Sequence, residues 1–144
     1  MPINQFSRSL PMMLYRTLDT VMPRFRKIFN DFGITEQQGR VLRVLWEQEQ
    51  VTFKVLSELT LIPAPSLVGI VDRLQSSGLV VRRRSETDRR KVYVSATPKG
   101  VEFETEIMPR VASEYVALKQ LVDAETWEQV LSGLERINAR LNLR

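Results

Sequence analysis

Between two short β-forming runs, Leu79–Val81 and Val92–Ser95, the chain places the segment RRRSETDRRK, Arg82 to Lys91. It holds six basic and two acidic side chains, and that excess equals the formal net charge of +4 of the whole 144-residue chain. The other 134 residues carry 15 basic and 15 acidic side chains and cancel. So many charges cannot leave water without prohibitive desolvation. The segment therefore reads as the exposed, turn-like part of a hairpin between the two β-prone runs, and the competing role is a solvated charged hairpin with no partner. A basic hairpin on an otherwise neutral protein is an electrostatic footprint for a polyanion.

Composition removes several classes of function. There is no cysteine and no histidine, which excludes disulfides and thiol redox sensing and removes the commonest metal ligand and general base. No cluster of Asp and Glu has a ligand spacing, and six glycines form no phosphate loop. No enzyme, metal site or cofactor is expected. No apolar run approaches the roughly 20 residues of a membrane span. The N-terminal MPINQFSRSLPMML has no signal-peptide pattern, so a cytoplasmic location without membrane partners is expected.

The remaining pattern is helical. Leu10, Leu14, Leu18, Val21, Phe25, Ile28, Phe29 and Phe32 share one helical face, with Pro23 as a break in its hydrogen-bond ladder and Gly33 as its end. Thr35 opens TEQQ, a capping box that starts a helix to about Glu47 with Val41, Leu42, Leu45 and Trp46 inward. Thr52 caps FKVLSEL. Pro63 and Pro65 open a helix from Ala64 to about Ser77, stopped by Gly78. Beyond the hairpin, Thr97 and Pro98 begin a long helix and Asp123 caps the last one. That last helix carries Trp127, Val130, Leu131, Leu134, Ile137 and Leu141 on one stripe. The fold class predicted is mainly α with a small β-wing, a winged helix-turn-helix joined to further helices.

In the helix from Ala64, Leu67, Ile70, Val71 and Leu74 fall at i, i+3, i+4 and i+7 and must face inward. Pro65 and Gly69 then face outward, flanked by Ser66, Val68 and Arg73. The first turn of such a helix enters the major groove of DNA. Ser66 suits a base edge or a phosphate, Val68 a thymine methyl, and Gly69 a close backbone approach. The competing roles are local: Ser66 as a helix cap, and Arg73 paired with a surface carboxylate.

The spacing Asp88-Arg89-Arg90, five residues, Ala96-Thr97-Pro98-Lys99-Gly100 resembles the D-x-R, five residues, L-T-x-x-G signature of the MarR family of bacterial transcription regulators. Ala96 stands where Leu is usual. The Leu56–Leu61 segment, PSLVGIVDRLQSSGLVVR and the helix order match as well, so the resemblance covers essentially the whole chain. TEQQGRVLRVL and PSLVGI are most similar to the branch that represses homoprotocatechuate catabolism. Gly39, where that branch tends to carry Trp, and Val68-Gly69, where many relatives carry polar or basic residues, are departures.

The resemblance implies a single MarR-type domain over 1–144. Its DNA-binding lobe spans 34–96, and 1–33 with 97–144 form a helical region that pairs two protomers. A homodimer on double-stranded DNA implies a pseudo-palindromic operator. The wing is expected along the minor groove with Arg89 inserted, while Arg82, Arg83, Arg84 and Lys91 neutralise phosphates. Asp88 pairs with Arg90 to hold the wing's shape, and Arg90 also reaches a phosphate.

Such regulators often bind a small aromatic carboxylate between the dimer region and the lobe. Arg16, Arg40 and Arg43 are the candidate cations, because an Arg fork pairs bidentately with a carboxylate. Gly39 predicts a wider pocket than a Trp would leave. Removing Arg16 or Arg40 is expected to spare DNA binding and abolish release by the ligand. Interhelical salt bridges are the competing role for these arginines. Two other functions remain open on the sequence: a winged-helix DNA binder without an effector, and a helical protein–protein adaptor.

Overall fold

The computed structural model describes residues 5–142. A short 3-10 turn, Phe6–Arg8, leads into α1, Leu10–Asp31, which Ser9 caps by accepting from the Met12 amide. Pro23 lies within α1, and Gly33 beyond its end takes the left-handed conformation at φ +75°. The helix α2, Glu36–Glu47, opens with a complete capping box. Thr35 Oγ1 accepts from the Gln38 amide, and Gln38 Oε1 accepts from the Thr35 amide. Then follow β1, Val51–Thr52; α3, Phe53–Thr60, capped by Thr52; and α4, Ala64–Ser76. Strands β2, Val80–Arg84, and β3, Val92–Ala96, precede α5, Pro98–Val122, and α6, Ala124–Leu141.

The three strands form an antiparallel sheet in the order β1-β3-β2. Arg82 pairs with Val94, Arg83 with Tyr93 and Arg84 with Val92, so the hairpin forms where the sequence places it. Side chains alternate faces along a strand. Arg82 therefore shares the inward face of buried Val80, and Arg83 shares the outer face of Val81. The fold is the winged helix-turn-helix expected.

The chain divides into two compact units, the first ending at Pro109 and the second beginning at Arg110. The core of the first is built by Leu42 of α2, Leu56 of α3, Leu67 and Leu74 of α4, and Val94 of β3, all fully buried. The inward series predicted for α4, Leu67, Ile70, Val71 and Leu74, is buried throughout. In the second unit Val111 and Leu118 of α5 are buried, and Tyr115 meets Trp127 edge-on with ring centroids 6.1 Å apart. No residue of α6 is buried. Val130, Leu131, Ile137 and Leu141 are all exposed.

The long stripe of α1 divides in the same way. Phe25, Ile28 and Phe29 are buried, whereas Leu10, Leu14 and Leu18 are exposed. Among the described residues, no single helix is long and apolar enough to cross a membrane.

Candidate nucleic-acid interface

The outward face of α4 carries the residues expected there. Pro65, Ser66, Val68 and Arg73 are exposed and Gly69 is half-exposed. Ser66 does not cap the helix, because the N-cap position belongs to Pro63. Arg73 makes no ion pair among the described residues. Its guanidinium lies over Gly69, 3.8 Å from where a Cβ would stand. The bare Gly69 backbone thus sits beneath an exposed cation, an arrangement that can meet a phosphate or a base edge.

The wing is held by its own short-range bonds. Ser85 Oγ accepts from the Thr87 and Asp88 amides at 3.3 and 3.1 Å. The Ser85 amide donates to the Lys91 carbonyl at 2.9 Å, and the Lys91 amide to the Asp88 carbonyl at 3.0 Å. Asp88 Oδ1 accepts from both the Arg90 amide and Arg90 Nε, at 3.1 and 3.2 Å. An acidic side chain among the wing's cations thus fixes the loop's shape. Arg84 Nη1 donates to the Arg89 carbonyl at 2.7 Å.

Arg82 has a different place from its neighbours. Its Nε donates to Gln75 and its Nη2 to Asp72, both on α4. It ties the wing to the helix, and its charge is shared with a carboxylate. Arg83, Arg89 and Lys91 are exposed and make no ion pair among the described residues. These three are the cations fully available to an incoming polyanion.

The root of the wing is locked onto its surroundings. Thr97 Oγ1 donates to the Gly78 carbonyl at 2.6 Å, Lys99 Nζ to the Ser77 carbonyl at 2.9 Å, and Trp46 Nε1 to the Gly100 carbonyl at 2.9 Å. A Cβ on Gly100 would collide with the Leu79 carbonyl oxygen. The T-x-x-G part of the signature is therefore a joint. Thr97 caps α5 through the Gly100 amide, and Gly100 lets the start of α5 pass against the strand.

The candidate effector arginines are not gathered in one place. Arg40 lines a cleft of about 570 Å³ between α1 and α2, together with Leu18, Met22, Arg26, Glu36 and Gln37. Arg16, exposed on α1, and Arg43, half-buried on α2, do not line it. Arg40 Nε and Nη2 donate to the two Glu36 carboxylate oxygens at 3.0 and 2.8 Å, and Nη1 to the Thr60 carbonyl at 3.0 Å. Arg26 was not singled out from the sequence. The signal was there in Leu18, Met22 and Arg26 at four-residue steps on one face of α1.

Gly39 does not widen a pocket. A Cβ there would fall 2.5 Å from the Phe29 ring, which fills the space a larger residue would take. Among the described residues, no group of acidic side chains could hold a metal ion.

A family model described as MarR family matches residues 32–91. The HTH-type transcriptional regulator FarR of Neisseria gonorrhoeae is 34% identical over 145 residues, covering 99% of both chains. The homoprotocatechuate degradative operon repressor of Escherichia coli is 32% identical over 136 residues, covering 94% of this chain and 92% of its own. Among solved structures, NadR in complex with 4-hydroxyphenylacetate superposes with a TM-score of 0.78 at 32% identity, over 95% of this chain and 97% of that one. The transcriptional repressor CouR bound to a 23-mer DNA duplex superposes with a TM-score of 0.84 at 26% identity, over 96% and 98%.

Proposed function

The chain belongs to the MarR family of DNA-binding transcriptional repressors, and on that premise we propose a homodimer that occupies a pseudo-palindromic operator of an aromatic-catabolism operon and leaves it when a small aromatic carboxylate binds. Members of this family are regulators rather than enzymes. Within a single domain over 1–144, the lobe 34–96 reads DNA and the helices of 1–33 and 97–144 pair the protomers.

The observation that carries the reading is the pairing of two surfaces in one lobe. The first two turns of α4 present Pro65, Ser66, Val68 and Gly69 with no cap bond or ion pair to occupy them among the described residues. Beside it stands a wing that carries the whole excess charge of the chain. On DNA, Arg89 enters the minor groove, Arg83, Arg84 and Lys91 neutralise phosphates, and Arg73 reaches the backbone beside the helix. Arg82 and Asp88 position the wing, and Arg90 adds a phosphate contact from its bond to Asp88.

Dimerisation is supported by the apolar side chains exposed on α6 and on the first half of α1. Those faces need a cover, and a second copy supplies it symmetrically. An aromatic acid effector is supported by the similarity to the homoprotocatechuate degradative operon repressor and to NadR, solved in complex with 4-hydroxyphenylacetate. Of the three expected arginines, Arg16, Arg40 and Arg43, Arg40 is the one that lines a cleft and is the proposed carboxylate partner.

The test is selection of bound duplexes from a random pool, with and without aromatic acids. The expected outcome is a palindrome with half-sites about 10 base pairs apart, lost when one acid is added. Binding that is weak, indifferent to sequence and steeply salt-dependent would remove the specific-repressor reading.

A further inference from the structure

The α1–α2 cleft is connected to the helix-turn-helix by one side chain. Arg40 presents one edge of its guanidinium to Glu36 inside the cleft and its remaining amino group to the Thr60 carbonyl. Thr60 is buried and ends α3. The next residue, Leu61, is left-handed at φ +58°, a conformation that is strained for a residue with a side chain. Three side-chain bonds hold this strained turn. Ser57 Oγ donates to the Ile62 carbonyl at 2.7 Å, the Ile62 amide donates to Thr60 Oγ1 at 3.3 Å, and Arg40 holds the Thr60 carbonyl. The turn sets the position of α4 on α3, and hence the aim of the recognition helix.

The cleft has the chemistry of a carboxylate site. Leu18 and Met22 give it an apolar wall. Its two guanidiniums face one carboxylate, so it has room for one more negative charge. Arg26 is exposed and makes no ion pair among the described residues. An Arg fork holds one carboxylate bidentately, so an anion brought in by Arg26 competes with Glu36 for Arg40.

We propose that this cleft takes a monocarboxylate with an apolar body, anchored on Arg26, and that Arg40 relays its arrival to the DNA-reading helix. The incoming carboxylate displaces Glu36 from the fork. Arg40 turns into the cleft, its bond to the Thr60 carbonyl is lost, and the strained turn relaxes. The ligand acts by its different affinity for the held and the relaxed turn. The proposal rests on the effector reading above and locates it on Arg26 and Arg40 rather than on Arg16 or Arg43. It also changes what removal of Arg40 should do: the loss must weaken DNA binding even without ligand.

The experiment measures affinity for the selected operator and amide hydrogen exchange at Leu61 and Ile62, with 4-hydroxyphenylacetate and its uncharged amide as probes. In the wild type the acid, and not the amide, should speed exchange at both positions as it releases DNA. Arg40→Gln should show the faster exchange without acid and bind the operator about tenfold more weakly, the scale of one buried carbonyl left unpaired. Arg26→Gln should raise the acid concentration for half-release about tenfold. Glu36→Gln keeps Arg40 and removes its competitor, so release should need less acid.

Wild-type exchange and affinity in Arg40→Gln would overturn the relay. An unchanged acid response in Arg26→Gln, or release without faster exchange at Leu61 and Ile62, would place the effector elsewhere and overturn the cleft. A wild type that ignores every acid ends the effector reading itself, while the Arg40→Gln result still decides whether Arg40 holds the turn.

Discussion

The core around α2, α3 and α4 and the surface of α6 are built from the same apolar residue types, yet they end in opposite situations. In the first, Leu42, Leu56, Leu67 and Leu74 are fully buried and the polar residues among them are bonded. Thr60 Oγ1, for example, donates to the Leu56 carbonyl at 2.6 Å. In the second, Val130, Leu131, Ile137 and Leu141 make an equally regular stripe with nothing over it. A helical stripe states that a face must be covered. It does not state whether the cover comes from the same chain. The winged lobe answers from within, and α6 asks for another molecule.

The largest effect that separates the two is in the core. Leu74→Ala should lower stability by about 2–5 kcal/mol in denaturant unfolding, because it leaves a cavity that the sheet and helices cannot close. A loss under 1 kcal/mol would mean that the lobe is packed more loosely than its buried residues indicate.

Ile137→Arg on α6 should do the reverse, leaving the lobe folded and weakening self-association by about 2 kcal/mol or more. Sedimentation should then show monomers for the variant and, on the proposed reading, dimers for the wild type. A variant that stays dimeric would break the contrast, since the stripe would not be the interface.

Arg89→Ala changes neither core nor stripe. It should cost about 1–3 kcal/mol of operator affinity with unchanged thermal stability. Undiminished affinity would remove Arg89 from the minor groove.

The smallest effect concerns the start of α6. The Thr126 amide and then its hydroxyl donate to Asp123 and hold its carboxyl below the usual carboxylate value. A carboxylate with a lowered folded value contributes stability above its unfolded value and loses it as pH falls through the folded one. Asp123→Asn should therefore flatten the acid limb of the unfolding curve below about pH 4, and leave neutral pH nearly unaffected. An acid limb identical to the wild type would show that Asp123 does not titrate with the fold.

What the sequence made legible follows the range of the interactions. Caps act over three residues, and Thr35, Thr52, Thr97 and Asp123 cap the helices they were expected to cap. Asp88 and Arg90 are two residues apart, and their bond was implied by the family signature. Arg82 with Asp72 spans ten residues between different elements, and Arg40 with the Thr60 carbonyl spans twenty. No periodicity records such pairs, so both arginines looked free for an outside anion. The two-residue β1 was too short to leave a pattern. The Phe29 ring over Gly39 depends on how α1 meets α2, which an isolated glycine does not reveal. For α1, the stripe was read correctly as one face, but only its second half is covered within the chain.

The joint at the root of the wing is made onto main-chain oxygens, those of Ser77, Gly78 and Gly100. Every amino acid carries that oxygen, so the bonds of the joint ask nothing of the side chain at Ser77, and Gly78 is held to glycine only by its own φ of +75°. The joint does not involve Pro65, Ser66 or Val68 on the helix's outer turn. On the proposed reading of α4, a lineage can therefore exchange those residues, and with them the preferred operator, without renegotiating the scaffold. Inheritance of the architecture and drift of its target are uncoupled, so new regulatory circuits can be founded from this fold by a few surface changes.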